Sequence, residues 1–145
     1  MRYIPLMIAV LAGVAGAAPP AFTPAETAAI YRAAGFKVEG DKIIGCDATE
    51  PGWPRSDFHI EAVDLSDDGK PEAIVSEGNI ACYGGDEMGF NVLAMNPDGS
   101  WRRLASGTGG TAVLKTRTQG WLDIEYGGPG TQKQPVLHWN GKTYQ

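Results

Sequence analysis

The residues best suited to chemistry in this sequence lie in the segment 64–72. It reads Asp-Leu-Ser-Asp-Asp-Gly-Lys-Pro-Glu, so oxygen-bearing side chains occupy positions 1, 3, 5 and 9, and a glycine occupies position 6. Alternate residues of a tight loop can turn their oxygens towards one centre, and calcium takes roughly six to eight oxygen ligands. The spacing therefore predicts a calcium site with these ligands: Asp64, Ser66, Asp68, the main-chain carbonyl of Lys70, and Glu72.

A solvated turn without an ion is the alternative interpretation of this segment. Aspartate side chains bond their own backbone and glycine accepts positive φ, so both residue types favour turns for local reasons alone. The loop also differs from an EF-hand, because no helix precedes it and position 12 is Val75 rather than glutamate.

The sequence around this loop resembles one repeat of the FG-GAP or VCBS-like family. Residues 62–75 read as an apolar strand, an acidic loop and a second apolar strand. In that family a D-x-N-x-D-G-x-x-D loop joins two strands and often holds calcium. Ser66 and Glu72 depart from this pattern, because the family places Asn and Asp at those positions. A single repeat is found, so the resemblance does not imply a propeller.

Two further groups of polar residues alternate along strand-like segments. Asp57, His59 and Glu61 share one face, and this set suits a transition metal or acid–base hydrolysis. The opposite residues are apolar, which is equally typical of a half-buried strand with its polar face in water. A second face, which would contact a glycan or protein partner or form a surface ladder, combines these residues: Trp121, Asp123 and Glu125.

The chain begins like an exported protein. Residues 1–17 combine Arg2, an apolar run and small residues, which predicts a signal peptide that is too short to span a bilayer. We expect residues 18–145 to form a single β-rich exported domain that is soluble and periplasmic or secreted. In an oxidising compartment two cysteines favour a disulfide, here Cys46–Cys82. By the chain-entropy argument, a disulfide that closes the loop between these cysteines stabilises the fold by about 3.8 kcal/mol.

The charge balance narrows the range of partners. The whole chain carries a formal net charge of −5, and loss of Arg2 with the signal peptide makes it one unit more negative. An acidic surface argues against nucleic acid or an anionic membrane as the main partner. The sequence therefore points to an unknown protein or glycan partner and to no membrane span.

The local patterns predict a mainly β fold, with α+β as the other option. Thr23, Pro24 and Glu26 form a capping box that begins one helix over residues 24–34. Eight or nine short strands follow, with turn signals at 96–99 and 140–141. We expect an antiparallel β-meander or small sandwich with this single N-terminal helix. Trp53 lies in a loop rich in Pro and Gly, and we expect it to be the most exposed tryptophan.

The functional prediction is an exported, non-catalytic binding or interaction module with one calcium loop and one structural disulfide. The alternative is a periplasmic inhibitor of an external hydrolase such as lysozyme, since small disulfide-containing β-proteins do that work. Ser106 and Gly107 do not, however, complete the S-G-x-x-Y motif of a known lysozyme-inhibitor type. A small hydrolase that uses Asp57, His59 and Glu61 is the third option.

Overall fold

The structure, a computed structural model, describes residues 21–46, 51–130 and 133–145. The predicted signal peptide lies outside the described residues. In chain order the elements are α1 (Pro24–Ala33), β1 (Lys37–Glu39), β2 (Lys42–Ile44), β3 (Asp57–Val63), β4 (Glu72–Gly78), α2 (Ile80–Tyr83), β5 (Met88–Met95), β6 (Trp101–Thr108), β7 (Gly110–Thr118), β8 (Trp121–Gly127) and β9 (Val136–Leu137). A 3₁₀ turn, Gly84–Asp86, follows α2.

The strands form a hairpin and two antiparallel sheets. The hairpin is β1–β2, the first sheet has the order β3-β4-β5-β6, and the second has the order β7-β8-β9. The mainly β, antiparallel architecture with an N-terminal helix is therefore confirmed. The expectation of a single helix is wrong, because α2 is a second one. With four residues, α2 is too short to show helical periodicity in the sequence. It begins after Asn79, whose side chain accepts the N–H of Ala81 at 3.0 Å.

Helix α1 begins at the predicted capping box. Thr23 Oγ1 accepts the N–H of Glu26 at 3.2 Å, and the Glu26 carboxylate accepts the N–H of Thr23 at 2.8 Å. The helix ends before Gly35, which has a φ of 97° that other residues rarely adopt. Its buried residues Ile30 and Tyr31 pack on one face of the first sheet, where the core also includes these residues: Ala34, Ala73, Val75 and Leu93.

The second sheet covers the opposite face of the first. In the core between the two sheets, Ile74, Phe90 and Val92 of the first sheet lie with Ile124 of the second. These three residues of the first sheet alternate with the residues that face α1. Gly109 carries the chain from β6 into β7 with a φ of 103°, and the backbone of Gly127 lies so close that a Cβ has no room there. The first sheet is thus sandwiched between the second sheet and a layer of α1 and the β1–β2 hairpin.

Both predicted turns close hairpins. The N–H of Asn96 bonds the carbonyl of Ser100 at 2.7 Å, and that of Asn140 bonds the carbonyl of Thr143 at 3.0 Å. The second turn ends in an isolated bridge between Trp139 and Tyr144 rather than in a regular strand. In the described part of the chain, neither helix has the length and apolar character that a membrane crossing requires.

Candidate functional site

The acidic loop between β3 and β4 is folded on its own carboxylates. Asp64 accepts the N–H of Asp68 at 3.2 Å and that of Gly69 at 2.8 Å, one on each oxygen. Asp68 in turn accepts the N–H of Lys70 at 2.8 Å. Gly69 has a φ of 82°, which explains the glycine at position 6. Asp64 is half-buried, whereas Asp68 and Lys70 are exposed.

Glu72 closes the loop from the protein interior. Its carboxylate is buried and accepts the N–H groups of Leu65 and Ser66 at 2.7 and 3.3 Å, while the Ser66 hydroxyl donates to its other oxygen at 3.4 Å. Burial raises the pKa of Glu72, the two N–H bonds lower it in part, and the negative charges of Asp68 and Asp64 raise it further. A nearby cation would therefore relieve an unfavourable charge.

Leu65 anchors this loop to the second sheet. Its side chain is fully buried in the core between the sheets. Its carbonyl accepts the N–H of Leu122 at 2.9 Å and an Arg117 guanidinium N–H at 3.3 Å. The conformation of the acidic loop is therefore coupled to the packing of the two sheets.

The five predicted ligands of the loop lie in two hydrogen-bonded sets. Asp64, Asp68 and Lys70 share one network, and Ser66 and Glu72 share another. Among the described residues, no three His, Cys, Asp or Glu side chains converge as metal ligands. An ion here would need carbonyl, hydroxyl and water oxygens beside the carboxylates, which calcium accepts. A carboxylate oxygen that accepts one N–H keeps lone-pair capacity for an ion. The calcium site stays a prediction.

The polar face of β3 has the arrangement of a half-buried strand. Asp57, His59 and Glu61 are exposed, while Phe58 and Ile60 pack into the core under α1. The strand lies at the edge of the first sheet, where charged side chains discourage pairing with other chains.

The structure places two residues of the predicted face on β8 in contacts within this protein. The Trp121 ring stacks on Trp139, with centroids 4.0 Å apart and planes 12° from parallel. Glu125 is half-buried, and only 3% of Asp123 is exposed. Two of the three side chains are therefore engaged by other residues of this protein.

Asp123 is the centre of a hydrogen-bond cluster on the outer face of the second sheet. Thr116 and Thr118 each donate to it at 2.7 Å, one to each oxygen, and His138 Nδ1 lies 3.0 Å from the oxygen that Thr118 contacts. Burial raises the pKa of Asp123, but these three hydrogen bonds together outweigh it and hold the pKa below its ordinary value. Sequence reasoning missed His138, because only the pairing of β8 with β9 brings it here.

A second buried carboxylate, Glu77, lies at the other end of β4 from the acidic loop. One of its oxygens accepts the N–H of Cys46 at 2.8 Å and the Ser56 hydroxyl at 2.7 Å, and the other accepts the Tyr83 hydroxyl at 2.5 Å. Burial raises the pKa of Tyr83, and the bond to Glu77 raises it further. The predicted disulfide Cys46–Cys82 is confirmed. It joins the segment after β2 to α2, and Glu77 bonds a residue of each, Cys46 and Tyr83.

These contacts brace two surface segments that present apolar side chains. Asn79 is buried and donates to the carbonyl of Pro54 at 2.8 Å and to the Ser56 hydroxyl at 3.1 Å. Trp53, which precedes Pro54, is 38% exposed, and Ile80, which follows Asn79, is 64% exposed. We call Trp53 and Ile80 the apolar tip. The expected exposure of Trp53 is confirmed.

Comparison of the chain with known protein families, with curated proteins and with solved structures gives no match. The resemblance of residues 62–75 to an FG-GAP or VCBS-like repeat therefore stays a prediction.

Proposed function

We propose that this protein is an exported, non-catalytic interaction module whose acidic loop binds calcium. The docking of the loop carries the proposal. Asp64 and Asp68 hold oxygens near the surface, Glu72 holds buried negative charge beneath them, and Leu65 fastens the loop to the second sheet. An ion that neutralises this charge stabilises the junction between the sheets.

The disulfide supports the exported location. Disulfides persist in the periplasm and outside cells and are rare in the cytosol. Cys46–Cys82 links the segment after β2 to α2, so it closes the end of the first sheet opposite the acidic loop. In this proposal the disulfide and calcium stabilise opposite ends of the same sheet.

We expect calcium to raise the melting temperature of the exported protein. A ligand that binds only the native state stabilises it by RT ln(1 + [L]/Kd), which is about 1.4 kcal/mol at ten times Kd. Extracellular calcium sites have Kd values of about 0.1–1 mM. At 10 mM calcium, about ten times the weaker of these Kd values, the expected rise over protein in chelator is at least roughly 3–6 °C. The measurement is thermal unfolding followed by circular dichroism.

Two variants decide whether this loop is responsible. Asp68→Ala removes an exposed predicted ligand and should abolish the rise. Asp98→Ala is the matched control, because the Asp98 carboxylate also accepts hydrogen bonds in an exposed turn, from the N–H and hydroxyl of Ser100. That turn lacks the ligand spacing of the acidic loop. A rise that persists in Asp68→Ala, or no rise in the wild type, would contradict the calcium proposal.

The apolar tip favours a second candidate, an inhibitor of an external hydrolase. The segments that carry Trp53 and Ile80 are held at neighbouring residues, by the bond of Asn79 to the Pro54 carbonyl, by that of Ser56 to Glu77 and by the disulfide at Cys82. This reduces the conformational entropy that binding would cost. Rigid, exposed tryptophans are typical hot spots of protein interfaces. The overall negative charge suits a cationic enzyme such as lysozyme.

In this second candidate, Trp53→Ala should weaken inhibition of lysozyme by about tenfold or more. The measurement is the inhibition constant from a cell-wall lysis assay. Met95→Ala is the control, because Met95 is 43% exposed at the far end of β5. Absence of inhibition by the wild type, or equal inhibition by both variants, would remove lysozyme as the target of this tip.

A further inference from the structure

An apolar groove lies between α1 and the β1–β2 hairpin, on the face of the first sheet away from the acidic loop. It has a volume of about 430 Å³. Its walls include Phe22, Ala28, Val38 and Ile43, and Asp41 lies at the hairpin turn. Ligand pockets of proteins span about 300–1,000 Å³ and are mostly apolar with a few polar groups. The groove therefore has the size and lining of a small-molecule site.

The Tyr31 hydroxyl is a polar group without a partner in this groove. Tyr31 is only 6% exposed, and its ring packs edge-on against Phe36 and Phe58. Within residues 21–46, 51–130 and 133–145, nothing accepts a hydrogen bond from its hydroxyl or donates one to it. No buried polar side-chain atom of these residues is both enclosed and unsatisfied, so the hydroxyl reaches open space. Since Tyr31 lines the groove, a bound molecule can bond it.

Charge selects among apolar ligands. Among the described residues that line the groove, the ionisable side chains are Asp41 and the phenol of Tyr31, and Asp41 forms no ion pair with another described residue. The nearby Lys37 is paired with Glu39, and Lys42 is exposed beside Asp41 without lining the groove. A carboxylate ligand would meet the Asp41 charge, whereas an ammonium would be attracted by it. An ammonium also has three N–H donors, enough for both Asp41 and the Tyr31 oxygen.

We propose that this groove binds a small amphipathic amine, with its apolar part between α1 and the β1–β2 hairpin and its ammonium bonded to Asp41 and Tyr31. The site is separate from the acidic loop, which contacts the second sheet. The ligand class is set by the apolar walls, the Tyr31 hydroxyl and the Asp41 carboxylate.

Three probes with one alkyl chain and different end groups test the proposal: octylamine, octanol and octanoate. Isothermal titration calorimetry and amide chemical shifts of the exported protein give the affinity and the location of binding. Octylamine should bind about tenfold more tightly than octanoate, with octanol between them. The shifts should cluster on α1, β1 and β2. Absence of saturable octylamine binding, or equal affinity for octanoate, would overturn the proposal.

Matched variants locate the site. Asp41→Asn should remove the preference for octylamine over octanol. Tyr31→Phe should lower the affinity for octylamine about threefold to tenfold. Ala28→Trp fills the groove and should block all three probes. Ala25→Trp places the same ring on an exposed residue of the same helix that does not line the groove, so binding should persist. Octylamine binding that is unchanged in folded Ala28→Trp would contradict the assignment.

Discussion

Replacing Glu77 by alanine is expected to lower the free energy of unfolding by about 3–5 kcal/mol. The Glu77 side chain is 1% exposed and accepts hydrogen bonds from Cys46, Ser56 and Tyr83. The substitution removes a buried acceptor that three half-buried donors share, and each such hydrogen bond lost costs about 1–3 kcal/mol. It also leaves a void beside Gly45, which approaches the carboxylate too closely for any Cβ. Urea unfolding at neutral pH measures the loss.

The conservative variants separate the contributions of the individual bonds. Tyr83→Phe removes one donor and keeps the carboxylate, so it should cost about 1–2 kcal/mol. Ser56→Ala removes a donor to Glu77 and also an acceptor of the Asn79 amide, so it should cost at least as much. Glu87→Ala is the control for loss of a glutamate, because Glu87 is exposed and its substitution should stay within about 0.5 kcal/mol. If Glu77→Ala costs no more than Glu87→Ala, the Glu77 cluster does not brace the apolar tip.

The features that sequence predicted correctly are specified by neighbouring residues or by chemistry. The capping box of α1 needs only Thr23, Pro24 and Glu26, and the turn at residues 96–99 needs only its own Pro and Gly. The disulfide followed from the cysteine count and the expected compartment. The acidic loop was found from spacing alone, and its Asp64 carboxylate contacts residues only four and five positions away.

The two buried carboxylate clusters could not be found in this way. Glu77 receives hydrogen bonds from residues 21 and 31 positions away in sequence, and Asp123 meets a histidine 15 positions away. Alternation along β8 placed Asp123 on a polar face, but it could not show that Thr116, Thr118 and His138 converge there. Strand pairing and register decide such contacts, and both depend on the assembled sheet. Helix α2 was missed because Asn79 specifies it within a loop of irregular pattern.

Replacing Asp123 by alanine is expected to lower the free energy of unfolding at pH 7 by about 2–3 kcal/mol. The loss is smaller than that for Glu77, because Thr116 and His138 are exposed and can bond water instead. The pKa of Asp123 is lower in the folded protein than its ordinary value, so the native state binds fewer protons than the unfolded chain. The contribution of the Asp123 charge to stability is therefore fully present above about pH 4, the pKa of an aspartate in the unfolded chain. It is lost as the pH falls through the pKa of Asp123 in the folded protein.

Urea unfolding of wild type and Asp123→Ala between pH 7 and pH 3 measures this dependence. The difference between them should shrink as the pH falls below about pH 4. Glu125→Ala is the control on the same strand, since Glu125 is half-buried outside the cluster and should change stability by about 0.5 kcal/mol or less. A difference that remains constant to pH 3 would mean that packing of the Asp123 side chain stabilises the second sheet. A difference that shrinks with acid assigns the stabilisation to its charge, and the outer face of that sheet then depends on an ionised Asp123 to hold His138 in place.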